Sequence, residues 1–190
     1  MRAAFAAALA LVLFGGCAEK VAPIDAIEGV PQKAPDWIQN PDINGRFSAT
    51  GGATQSIGGA KFQHIEAKAK ASEILRARLE KIALAAAKEC LNALKTAKVD
   101  DETIEKDAKL ASLMTVARAS NQFERTHIWW SPARDYYALL RISEERFEAT
   151  LIDAIAQFVK SNEDYSLNFG MLRGMELIEN AARSAIAAAK

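Results

Sequence analysis

Nucleophilic or acid–base chemistry needs a thiol, hydroxyl, imidazole or carboxylate held in place by a second group, and this chain of 190 residues has only 2 cysteines and 2 histidines. Cys17, His64, Cys90 and His127 lie far apart, at no spacing that holds zinc or pairs a cysteine with an imidazole. Cys90 recurs with the apolar positions of a long helix, where a thiol behaves as a small inert core residue. His64 falls in the first turn of that helix, a solvated or boundary position, and His127 sits in a strand between Thr126 and Ile128. No Gly-x-Ser-x-Gly elbow occurs. Glu144, Glu145 and Glu148 read as capping charge and a solvated helix face rather than paired acids. The glycine-rich stretch 51–59 lacks the Gly-Lys-Ser/Thr of a phosphate loop, because Lys61 follows Gly59-Ala60 and precedes Phe62. No catalytic residue, no metal and no cofactor are expected.

Cys17 has a context of its own. Met1-Arg2 gives a positive end, and Ala3 to Phe14 is an unbroken apolar run of about 12 residues. A signal-peptide core needs roughly 7–15 such residues and a membrane span roughly 20. Leu13-Phe14-Gly15-Gly16-Cys17 then resembles the lipobox of bacterial lipoproteins, in which the cysteine thiol is acylated and the chain is cut before it. The resemblance implies a signal peptide at 1–16 and a palmitate-type lipid anchor on Cys17. Ala18, where an inner-membrane lipoprotein would have Asp, implies outer-membrane sorting in a two-membrane bacterium. Two or more acyl chains hold a protein stably where one does not, since each buried methylene contributes about 0.8 kcal/mol.

Composition narrows the partners. Lys+Arg and Asp+Glu number 24 each, and cleavage before Cys17 removes Arg2, leaving 23 basic against 24 acidic residues. Without a basic excess there is no electrostatic footprint for nucleic acid. Half of the residues are hydrophobic and a quarter charged, which places the chain among folded proteins.

The elements that must position any site follow from pattern. Four of the five prolines (Pro23, Pro31, Pro35, Pro41) fall between residues 23 and 41, so residues 17–36 read as a tether, whose residues 18–36 reach up to about 60 Å when extended. A single domain over 37–190 follows, with Trp37 as its first docking residue. Arg46 to Ala53 alternates as a short strand. Gly51-Gly52 and Gly58-Gly59 suggest a turn, or a place where backbone approaches something closely. Lys61 to Lys98 carries the apolar spacing of one helix of about 57 Å, longer than a small domain covers, so it should break, protrude or pack against a partner. A second helix runs from Val99–Glu102 to about Ser120. Phe123–Trp130 and Tyr136–Ile142 read as a hairpin turning through 131–135, the second strand apolar on both faces and therefore central. Ser143 caps a third helix reaching about Lys160, and a final helix spans about Leu167–Ala189 with Met171 and Met175 on its apolar side.

Trp129, Trp130, Arg134, Tyr136 and Tyr137 cluster at the turn end of the hairpin. They are either core packing or a partly exposed patch for a protein or peptidoglycan partner.

Pro35-Asp36-Trp37-Ile38, Asn40-Pro41, Phe47-Ser48-Ala49-Thr50-Gly51, the Ala-rich helix and Tyr137-Ala138-Leu139-Leu140-Arg141-Ile142 occur in an order that resembles the LPP-twenty family of small bacterial outer-membrane lipoproteins. The likeness spans about residues 35–142. It implies an α+β domain whose small sheet packs on long helices, a periplasmic or surface role, and no enzyme chemistry. The expectation is a lipid-anchored envelope interaction protein. Self-association through the long helix, or small-ligand binding at 51–59, are the alternatives.

Overall fold

In a computed structural model the described residues are 33–42, 47–55, 57–171 and 173–189. They form a helix-rich α+β domain built on a three-stranded antiparallel sheet. Its strands are β1 (Phe47–Ala53), β2 (Glu124–Trp130) and β3 (Tyr136–Ile142), in spatial order β1-β3-β2. As its two apolar faces suggest, β3 is the central strand. Five helices complete the domain: α1 (Gly59–Leu94), α2 (Asp101–Ser120), α3 (Glu144–Ser161), α4 (Glu163–Met171) and α5 (Gly174–Ala188).

One face of the sheet, carrying Phe47, Ala49, Ala53, Ala138, Leu140 and Ile142, packs on the helices and is here called inner. α1 crosses it with its first half and runs on between α2 and α5 with its second. Of the outcomes expected for so long a helix, a break does not occur. α1 is unbroken over 36 residues, and one stripe of it is buried from Gln63 to Leu94, because its chain neighbours β1 and α2 fold back on it and the distant α5 covers it as well. Leu75, Leu79, Leu91 and Leu94 are fully buried on it, and each contributes about 1.5–3 kcal/mol by leaving water. The Ala67, Ala71, Ala83, Ala86 and Ala87 stripe is likewise enclosed within the chain.

Caps explain three of the helix boundaries. The Asp100 carboxylate accepts from Thr103 N at 2.8 Å to start α2, and Ser143 Oγ accepts from Arg146 N at 3.3 Å to start α3. α1 stops at Leu94, short of Lys98, because Asn168 Nδ2 of α4 donates to the carbonyls of Leu94 (3.1 Å) and Lys95 (2.9 Å). Exposed ion pairs such as Arg118–Asp153 and Arg183–Glu148 tie neighbouring helices and add little stability.

The C-terminal helix departs from expectation. Two helices, α4 and α5, replace one, with Arg173 in the left-handed region (φ 52°) between them. Phe169 packs so closely on Gly174 that a Cβ there would meet its ring at 2.0 Å. The turn leaves Met171 and Met175 exposed, where a single straight helix would have pointed them at the core.

Candidate functional site

The aromatic hairpin end is the natural place to look, and the sheet divides it. Side chains alternate across a strand, so adjacent aromatics part company. Trp129 and Tyr137 pair across the strands on the outer face (ring centroids 5.5 Å), where Trp129 packs with Trp37 and Leu139. Trp130 and Tyr136 pair on the inner face at 4.9 Å. Trp129 and Tyr136 are buried, and Trp130 and Tyr137 half-buried. Arg134 stays exposed in the turn with φ 66°, and its carbonyl accepts from the buried Gln63 Nε2 at 2.8 Å. The five residues therefore do not make one patch: two serve each face, and the fifth shapes the loop. Ser131 and Asp135 lock that loop, Ser131 N donating to Asp135 O at 2.8 Å and Asp135 N to Ser131 Oγ at 2.9 Å.

On the outer face Trp37 docks as its position suggests. Its carbonyl accepts from Thr50 Oγ1 at 2.9 Å, and its ring lies 5.9 Å from that of the exposed His127.

The inner face holds the polar chemistry. His64 of α1 stacks on Tyr136 at 4.1 Å and approaches Trp130 at 5.6 Å. Neither His64 Nε2 nor Tyr136 Oη, both closed to water, has a hydrogen-bond partner. Burial, followed by the positive charge of Arg125, holds His64 below its ordinary pKa. Burial pushes the Tyr136 phenol up, opposed by the same Arg125 charge.

Sequence reasoning passed over Arg125. Strict alternation would turn it outward, opposite to Trp130. A bulge between Arg125 and His127 adds one residue to β2, so Arg125 pairs with Leu140 on the inner face while Glu124 turns outward to Arg146. Bulges leave little trace in residue type, so no sequence signal pointed to this one.

The glycines of 51–59 are largely in contact with the protein itself. Gly51 lies against the α1 backbone at Ala67 and Ala71, and the Tyr137 ring covers Gly52. Gly58 meets Phe62, and Gly59 adopts φ 73° with open space around it. Cys90 is buried, its thiol pushed up to about 12 by desolvation and by the neighbouring Glu89. Among the described residues no group of three or more His, Cys, Asp and Glu could hold a metal ion, and no helix is long and apolar enough to cross a membrane. Cys17, with its signal segment and most of the tether, lies outside the described residues.

No family model, curated protein or solved structure matches the chain.

Proposed function

We propose that this protein is a bacterial lipoprotein of the kind the LPP-twenty family represents. It is held in the outer membrane by acyl chains on Cys17 and presents a non-enzymatic α+β domain to the periplasm or cell surface. The observation that carries the reading is the apolar run Ala3–Phe14 ending in Gly15-Gly16-Cys17. The way the tether enters the domain supports it. Immediately after the proline-containing segment, Asp36–Ile38 forms a 3₁₀ turn that seats Trp37 on the outer sheet face. Asp42 pairs with Arg78 of α1, and its carboxylate also accepts from Ser48 N at 3.3 Å. A pull on the anchor is thus borne by the sheet and the longest helix together, which suits a domain held at a fixed surface while it engages other envelope proteins.

Replacing the thiol tests this directly. Cys17→Ala should move the protein from the membrane pellet to the soluble fraction while its far-ultraviolet circular dichroism stays unchanged. Equal membrane retention of wild type and variant would remove the anchor from the proposal.

A further inference from the structure

We propose that the His64 side of α1 and the inner face of β2 form a binding site for a phosphate-bearing anion. Charge is the first ground. Lys61, His64 and Lys68 stand three and four residues apart, neighbours along one side of α1. The bulge in β2 turns Arg125 onto the inner face, where its charge acts on both His64 and Tyr136. Among the described residues no carboxylate pairs with Lys61, Lys68 or Arg125; Glu66 is taken by Lys70, and Glu124 by Arg146 and Arg141. The result is a local positive field on a chain whose total charge is zero.

Unmet hydrogen bonding is the second ground, and at Tyr136 the Arg125 guanidinium stands near the hydroxyl without reaching hydrogen-bond distance. Tyr136 is fully buried, yet its hydroxyl has no partner, and His64 Nε2 beside it has none. Buried polar atoms are nearly always paired, so an orphaned pair in one place points to a missing acceptor or donor. A guanidinium fork, two ammonium groups and a phenolic O–H together complement a tetrahedral oxyanion. An anion taken up by the exposed Arg125 reaches the Tyr136 hydroxyl and His64 Nε2 once the side chains over them part, since both atoms are closed to water in this structure. Ile65, between the two lysines on the helix, and Ile128 on β2 are more than half exposed and offer apolar surface to whatever carries the phosphate. That carrier is a lipid headgroup or a soluble phosphate ester. The site would stand even if Cys17 proved unmodified.

His64 and His127 are the two histidines of the chain, on opposite faces of the sheet, so their ring signals in NMR give a reporter and an internal control. The full-length protein, reconstituted in phosphatidylcholine vesicles near neutral pH, is titrated with inorganic phosphate against chloride at matched ionic strength. The expected result is a saturable shift of the His64 signal with a rise in its pKa, since a nearby anion favours imidazolium, while His127 stays put. Arg125→Gln should weaken phosphate binding by about tenfold or more. Lys68→Gln, at an exposed position, should weaken it severalfold, and Tyr136→Phe should do the same while keeping the ring packing. A parallel reconstitution in phosphatidylglycerol vesicles, without added phosphate, separates the sources. The same His64 shift there names a lipid headgroup, and its absence alongside a positive phosphate titration names a soluble ester. No saturable shift in either arm, an equal response to chloride, or phosphate binding undiminished in both Arg125→Gln and Lys68→Gln overturns the site.

Discussion

Gly51→Ala would drive a methyl group into the backbone of the longest helix. A Cβ at this position would lie 2.0 Å from the Ala67 carbonyl oxygen and 2.4 Å from Ala71 N, both backbone atoms. Ordinary contact starts at 3.4 Å, so β1 and α1 would have to part by about 1.4 Å. Parting loosens the interface that buries Ala49, Ala53, Ala67 and Ala71. Over-packing costs about 1–3 kcal/mol where neighbours can yield. Here a strand and a helix meet backbone to backbone, so the expected cost is about 3 kcal/mol, at the top of that range. For a domain of this size each kcal/mol lowers Tm by roughly 2–4 °C, giving a fall of roughly 6–12 °C. Gly170→Ala in α4 is the matched control, with nothing within 4 Å of the new carbon; it should gain about 0.5–1 kcal/mol from helix propensity. Urea unfolding followed by tryptophan fluorescence measures both. If Gly51→Ala unfolded within about 1 kcal/mol of wild type, below the over-packing range, β1 would not lie on the α1 backbone and the packing of sheet on helix would need redrawing.

Further expectations concern buried chemistry and caps. Ser143→Ala removes the hydroxyl that starts α3 and should cost about 1 kcal/mol in urea unfolding. Tyr165→Phe removes the buried hydroxyl that donates to Asp107 Oδ2 at 2.7 Å, with an expected loss of about 1–2 kcal/mol by the same method. With its thiol pushed up to about 12, Cys90 should resist iodoacetamide near pH 8 in the folded protein and react once urea unfolds it. Rapid native labelling would show an accessible thiolate instead. His64 is held below its ordinary value of 6.5, so the fold favours the neutral ring. Unfolding then takes up a proton as pH falls below about 6.5, and stability declines from there downward. A His64→Gln variant should lack that component of the acid dependence in parallel denaturation curves.

Much of the architecture is legible in residue type. Alanine and leucine at three- and four-residue steps define α1, Asp100 and Ser143 mark the next helix starts, and the doubly apolar Tyr136–Ile142 identifies the central strand. Local spacing says nothing of what lies opposite, however. The buried stripe of α1, from Gln63 to Leu94, depends on β1 and α2 folding back from either end of the helix and on α5 arriving from the far end of the chain. The break between α4 and α5 turns on one left-handed residue, Arg173, and on the fit of Phe169 over Gly174. Five neighbouring residues of the hairpin read as one patch by position, and the period-two geometry of strands puts them on two faces. Arg125 was hidden for a related reason: the bulge reverses the direction that alternation assigns to it. Gly51 is the converse case, since its glycine pair hinted at close backbone approach and α1 turned out to be the neighbour.

Membrane attachment through one thiol is best judged by the intact mass of the protein extracted from its native membrane. A polypeptide starting at Cys17 and heavier than its sequence by a diacylglyceryl group, with or without a further acyl chain, is the expected result. A chain of unmodified mass that retains residues 1–16, or that begins anywhere but Cys17, would contradict it.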